Sequence, residues 1–219
     1  MNSTKHPLCV DLDGTLLRTD TLYESLVLLI RKQWLKIFLL PVWLYKGRAF
    51  LKEQVHHYAS PLPALLPIHD PFLQYLQKQH ASGRKLILVT ASNEQVAKEI
   101  AKHVGLFSDV IASNGQENIK GARKAAVLTE RFGKGQFAYA GNSIADIPVW
   151  QEAGESIVVQ PSWLLRLRMH VIPRMSRAFP PPSVQSTLEH VLRLIRVHQW
   201  SKNVLIFAPA IFAHTFINP

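Results

Sequence analysis

Cysteine is nearly missing from this chain: Cys9 is the one such residue among 219, so no disulfide framework can staple the fold, and a reducing, cytoplasmic compartment is the default reading. No charged segment leading into an apolar one opens the sequence, so no signal peptide is expected. Apolar runs of bilayer length are also lacking. Residues 35–45 are broken by Lys36 and Pro41, and the run 204–217 contains Pro209 and His214, too short and too interrupted for a spanning helix. Acids are scarce, with 15 Asp and Glu against 25 Lys and Arg, a net charge of +10. Over residues 162–203 seven cations (Arg166, Arg168, Arg174, Arg177, Arg193, Arg196 and Lys202) face the lone acid Glu189, an excess of +6 that is more than half the total. Interleaved with Trp163, Leu164, Leu192 and Ile195, these charges read as a basic amphipathic surface suited to anionic lipid. No nucleic-acid-binding motif accompanies them, so nucleic acid is not an expected partner.

What is present is a folded composition, 47% hydrophobic and 18% charged, long enough for one sizeable domain and a short appendage. Its most informative stretch is residues 8–15, Leu-Cys-Val-Asp-Leu-Asp-Gly-Thr. Alternation along a strand sends Asp11 and Asp13 to the same side, where they converge just past the strand's end. Two carboxylates so close repel unless a hard cation such as Mg²⁺ satisfies them, in which case one is placed to attack a phosphorus centre. Gly14 lets the chain turn closely behind them. The alternative is a solvated Asp-rich turn.

Beyond the octet, residues 21–70 are apolar at helical spacing, with interruptions at Pro41 and near Pro61, Pro63 and Pro67; they read as a helical cap over about 17–75. Continuous apolar strands then alternate with helices: strands over 85–90, 109–112, 137–140 and 156–159, helices over 71–82, 94–103, 122–132 and 147–152. Together with the first strand this specifies an α/β fold, a doubly wound Rossmann-like parallel sheet of five strands, whose ligands bind at the strands' carboxyl ends. From Pro161 the composition changes, and residues 161–186, with Pro173 and the Pro180–Pro182 triplet, read as a linker before a helical C-terminal tail over 187–219.

Four polar clusters fall at strand ends in order: Asp11 with Asp13, Thr90 with Ser92, Lys120 and Lys124, and the run Gly141-Asn142-Ser143-Ile144-Ala145-Asp146. Over residues 1–160 this order resembles the haloacid dehalogenase superfamily of phosphohydrolases. The resemblance implies that Asp11 is a nucleophile forming an aspartyl-phosphate and Asp13 a general acid/base, that Thr90 holds a phosphoryl oxygen, and that a lysine clamps the phosphate. Lys124 is the better candidate because it begins a helix; Lys120 remains an alternative, as Ser92 does for Thr90 or as a helix cap. Magnesium would be held by Asp11, Asp13, Asn142 and Asp146. The family pattern has an acid where Asn142 stands, which removes one charge from that set.

The tail carries a second resemblance. Residues 192–209, with Arg193, Arg196, Gln199, Trp200, Lys202 and Asn203 before an apolar run, are similar to the entry to the first membrane helix of UbiA-type prenyltransferases that act on polyprenyl phosphates. The acidic motifs of that family do not follow, so the resemblance implies a cut-short phosphatase–prenyltransferase fusion without prenyltransferase activity of its own. The expectation is a Mg²⁺-dependent phosphatase at the cytoplasmic side of the inner membrane, acting on a phosphorylated sugar attached to a polyprenyl carrier. The alternatives are a non-catalytic scaffold for a prenyltransferase partner domain, or a soluble phosphatase for small metabolites.

Overall fold

The structure, a computed structural model, describes residues 6–113 and 118–181. Its centre is an entirely parallel sheet of six strands: β1 (Leu8–Val10), β2 (Leu86–Asn93), β3 (Asp109–Ser113), β4 (Ala138–Gly141), β5 (Glu155–Val159) and β6 (Met175–Phe179). The spatial order is β3-β2-β1-β4-β5-β6. The chain winds outward from β1 to β3 and then returns to lay β4 on β1's other side, so the winding reverses between β1 and β4. A crevice opens there at the carboxyl ends.

The strands are apolar on both faces because both faces are covered. On one, Leu8, Val10, Leu86, Leu88, Ala138 and Ile157 pack against Phe72 and Leu76 of α4 (Asp70–Ala81) and Val96 and Ile100 of α5 (Glu94–Val104). On the other, Cys9, Ile87, Val89, Tyr139 and Val158 meet Leu128 of α6 (Ala122–Phe132) and Trp150 of α7 (Ile147–Glu152). The period of two thus divides one sheet into two cores.

Two expectations need correction. The sheet has a sixth strand, β6, within the stretch expected to be linker, preceded by a single turn of helix at Trp163–Arg166. Its sequence, Met-Ser-Arg-Ala-Phe, has no apolar run to announce it. As an edge strand it is mostly exposed and is held by main-chain pairing to β5, with Phe179 packed against the stacked rings of Phe72 and Tyr75 at centroid distances of 5.3 and 5.5 Å. The compact unit ends at Pro180, and the expected helical tail over 187–219 lies outside the described residues.

The cap is also narrower than 17–75. Leu16, Leu17, Leu66 and Phe72 belong to the sheet's own core, whereas α1 (Thr21–Gln33), α2 (Leu40–Tyr45) and α3 (Arg48–Tyr58) close around Leu29, Trp43, Val55 and Ala59. Trp43 stacks on Tyr58 at 5.6 Å. Pro41 stands in the first turn of α2, where its missing N–H is no loss, and a 3-10 segment, Trp34–Leu39, joins α1 to it. Among the described residues no helix is long and apolar enough to cross a membrane.

Candidate active site

The carboxyl ends of β1 and β4, the start of α6 and two elements of the cap enclose a cavity of about 230 Å³ lined by Asp11, Asp13, Asp20, Lys52, Lys120, Lys124, Asn142 and Asp146, among others. Asp11 follows β1 directly. Its Oδ1 accepts a hydrogen bond from Lys124 Nζ at 2.7 Å, while its Oδ2 has only a long contact from Thr15 Oγ1 at 3.4 Å. Burial pushes the Asp11 carboxyl up, to about 7; Lys124 pulls it down and Asp146 adds to the rise.

Lys124, in the first turn of α6, is almost wholly buried, which burial alone would penalise. Asp11 and Asp146, the latter at 3.9 Å, more than offset this and hold the ammonium above its ordinary range. Lys124 also donates to Tyr139 Oη at 2.9 Å, and that hydroxyl donates onward to Asp146 Oδ1 at 2.8 Å. The other oxygen of Asp146 accepts from the Asn142 and Ser143 main-chain N–H groups and from Ser143 Oγ, at 3.0–3.1 Å. Asp146 therefore shapes the loop after β4 and anchors Lys124 at once.

Asp13 is satisfied from the cap side. Oδ1 accepts the Thr21 N–H at 2.8 Å, and Oδ2 accepts from Ser92 Oγ, which is itself 2.9 Å from Thr21 Oγ1. Burial raises the Asp13 carboxyl, with Asp20 contributing and the Ser92 and Thr21 bonds opposing. The network continues outward: Ser25 Oγ donates to the Thr21 carbonyl at 2.8 Å, so the 2.8 Å contact between Ser25 Oγ and His56 Nδ1 requires His56 to donate. Among the described residues His56 Nε2 is then a buried acceptor without a partner.

Of the residues expected at the site, Asp11, Asp13, Lys124, Lys120, Asn142 and Asp146 all line the cavity. Thr90 does not. It is wholly buried, its Oγ1 accepts the Ser92 N–H at 3.0 Å, and Ala91 takes its place on the wall. Ser92 serves Asp13 rather than a ligand or a helix cap, which falls to Asn93. Tyr139 and Lys52 were missed. Tyr139 sits in a strand that reads as uniformly apolar; Lys52 reaches the cavity from α3 and donates to the Ala91 carbonyl at 2.7 Å. Only the spacing of Lys52 and His56, one helical turn apart, hinted that this face of α3 looks inward.

Among the described residues no three His, Cys, Asp or Glu side chains already converge as a metal cluster. The oxygens left open are Asp11 Oδ2 and the side-chain amide of Asn142, whose neighbour is Gly14: a Cβ there would fall 2.1 Å from Asn142 Nδ2. Hard oxygen donors of this kind suit a largely hydrated Mg²⁺. They do not make a ligand of the Asp13 carboxylate, both of whose oxygens are engaged, and Asp146 already accepts four hydrogen bonds.

Residues 8–151 match the family model for haloacid dehalogenase-like hydrolases. The chain belongs to that hydrolase family. It is 35% identical over 206 residues to an uncharacterized protein, y4nM, of Sinorhizobium fredii, an alignment that covers 94% of this chain but only 39% of the relative's length. Among solved structures it superposes on a Bordetella pertussis protein of unknown function with a TM-score of 0.62 at 18% identity, covering 81% of this chain and 99% of that one. A phosphoserine phosphatase solved as a phospho-aspartyl intermediate analogue gives a TM-score of 0.58 at 15% identity, covering 86% and 99%. These likenesses show the hydrolase's fold.

Proposed function

We propose that this hydrolase is a phosphatase that cleaves phosphomonoesters through an aspartyl-phosphate on Asp11. The observation that carries the reading is the pairing of a cavity-lining Asp11 carboxylate with the buried Lys124 ammonium at 2.7 Å, opposite a second carboxyl, Asp13, of raised proton affinity. Asp11 attacks phosphorus; Asp13 gives its proton to the departing alcohol oxygen and later takes one from the water that cleaves the acyl phosphate. Lys124 favours the ionised form of Asp11 against the effect of burial and faces the charge that builds on the equatorial oxygens. Asp11 and the Asn142 amide would hold Mg²⁺, with Asp146 reaching it through water, and the ion would supply further neutralisation of the phosphate.

The substrate we infer is a phosphorylated sugar on a polyprenyl carrier. It rests on the tail's similarity to prenyltransferases and on a relative that extends well beyond the aligned region. Asn142 favours a second reading, a scaffold that has lost catalysis. Phosphate release from an aryl phosphate in Mg²⁺ separates the two. Wild type should turn over while Asp11→Asn, which keeps the shape, should fall by more than a hundredfold, about 3 kcal/mol of barrier. Comparable activity in both proteins would defeat the assignment, and no turnover by wild type on lipid-linked or free sugar phosphates would leave the scaffold.

A further inference from the structure

The outer surface of the cap is apolar where a water-facing helix should not be. Between residues 30 and 45, Trp34, Leu35, Phe38, Val42, Leu44 and Tyr45 are exposed, Phe38 to 73% and Tyr45 to 93%. These belong to one unbroken course of helical turns, the end of α1, the 3-10 segment and α2, and the Trp34 and Phe38 rings touch edge to face at 6.5 Å. The cap's own core is complete without them, since Leu29, Trp43 and Val55 already fill it. Apolar side chains scattered singly on a surface are ordinary, but six crowded on one short stretch mark a place where something docks.

Charge says what docks. From Ser25 to Leu51 the sequence has five cations (Arg31, Lys32, Lys36, Lys46 and Arg48) and no acid. Arg31, Lys32, Lys46 and Arg48 are exposed around the apolar stretch, and Lys36 lies over the Tyr58 ring at 3.1 Å. A second copy of the chain meeting this face with its own would bring like charges together, and residues 182–219, with three cations to one acid, carry the same sign. A face with apolar and aromatic side chains flanked by exposed cations complements an anionic bilayer, entering the headgroup region with its Trp and Tyr while the cations meet lipid phosphates. We propose that the cap is a membrane-docking element that seats residues 30–45 in the surface of an anionic bilayer. This stands apart from the phosphatase reading, because it needs no catalysis.

A local probe tests it in the full chain. Cys9 is buried and its thiol is pushed up to about 12, so Tyr45→Cys creates a single reactive site for an environment-sensitive fluorophore. Lys134→Cys, exposed just before β4 at the sheet's amino end, is the control, and Phe38→Cys is a second cap position. With mixed phosphatidylcholine and phosphatidylglycerol vesicles, the two cap labels should shift to the blue and brighten about twofold or more while the control stays in water. Phosphatidylcholine alone should give little change, and reversing Lys32 and Lys46 together to Glu should weaken binding about tenfold or more. Cap labels that stay in water with anionic vesicles would overturn the proposal, even if the protein binds vesicles elsewhere. A cap label already blue-shifted without lipid would overturn it too: a dimer by sedimentation would assign the face to a second copy, a monomer to the chain's own tail.

Discussion

At the scale of single residues, the site depends on one buried cation holding two buried carboxylates. Lys124→Met leaves Asp11 and Asp146 facing each other without compensation, and removal of one partner from a buried pair costs about 3–5 kcal/mol. Because burial already favours the protonated form of Asp11, the loss should be largest above neutral pH, where Asp11 must ionise, and should shrink as acid protonates it. Thermal unfolding of the variant and wild type across that range, without Mg²⁺, checks the trend; a pH-independent difference would mean that Asp11 stays charged throughout. Asn142 allows the opposite manipulation. Its amide faces the cavity against Gly14 and makes no side-chain hydrogen bond among the described residues, so Asn142→Asp adds charge without breaking a contact. If position 142 shares a cation with Asp11, the half-saturating Mg²⁺ concentration for phosphate release should fall about tenfold in Asn142→Asp, a small part of the Coulomb attraction available at close range. An unchanged value would place residue 142 outside the metal's reach.

Among the elements, the junction of α1 with α3 ties the cap to Asp13. His56 donates to Ser25, Ser25 to the Thr21 carbonyl, and the Thr21 N–H to Asp13, so the orientation of a catalytic candidate in the core depends on a histidine in the cap. Burial, with Lys52 close by, pushes the His56 ring down to about 4, because protonation would leave an N–H at Nε2 with nothing to receive it. Between that value and the ordinary 6.5 of an unfolded histidine, the unfolded chain binds a proton that the folded chain refuses. The stabilisation is therefore complete above pH 6.5 and is lost as the pH falls toward 4, in total on the order of 3 kcal/mol. Replacing His56 with Leu should flatten the acid limb of a stability–pH curve. A limb of unchanged slope would assign it to other groups.

For the whole molecule, the sixth strand closes the compact unit that carries the site. Phe179 covers Phe72 and Tyr75, and β6 pairs along the edge of β5. A chain stopped after residue 181 should unfold as a single cooperative domain. One stopped after residue 161 exposes the paired edge of β5 and uncovers that aromatic cluster, and it should melt lower and aggregate on concentration, since an open apolar edge recruits other chains. Light scattering and melting curves of the two truncations separate the outcomes, and equal behaviour would reduce β6 to an ornament of the edge.

Local pattern was enough to establish the parallel α/β sheet, because strands buried on both faces must be continuously apolar and the helices between them must carry one apolar stripe. It also singled out Asp11, Asp13, Asn142 and Asp146, which follow the apolar strands β1 and β4 at their carboxyl ends, whereas Lys124, within the first turn of α6, was marked by the resemblance. Tertiary structure alone decided the rest. β6 is held by main-chain pairing, which is blind to side-chain pattern. Tyr139 became the bridge between Lys124 and Asp146 only once α6 and the loop after β4 converged on it. Thr90 turned inward where a free hydroxyl was expected, because the end of β2 used it to receive the Ser92 N–H. Lys52 and His56 lie about forty residues from Asp11, and their one-turn spacing tells only that they share a face of α3; what that face meets is decided by the packing of the cap. Spacing along the chain reports which way a side chain faces on its own element; what it meets there depends on elements distant in sequence.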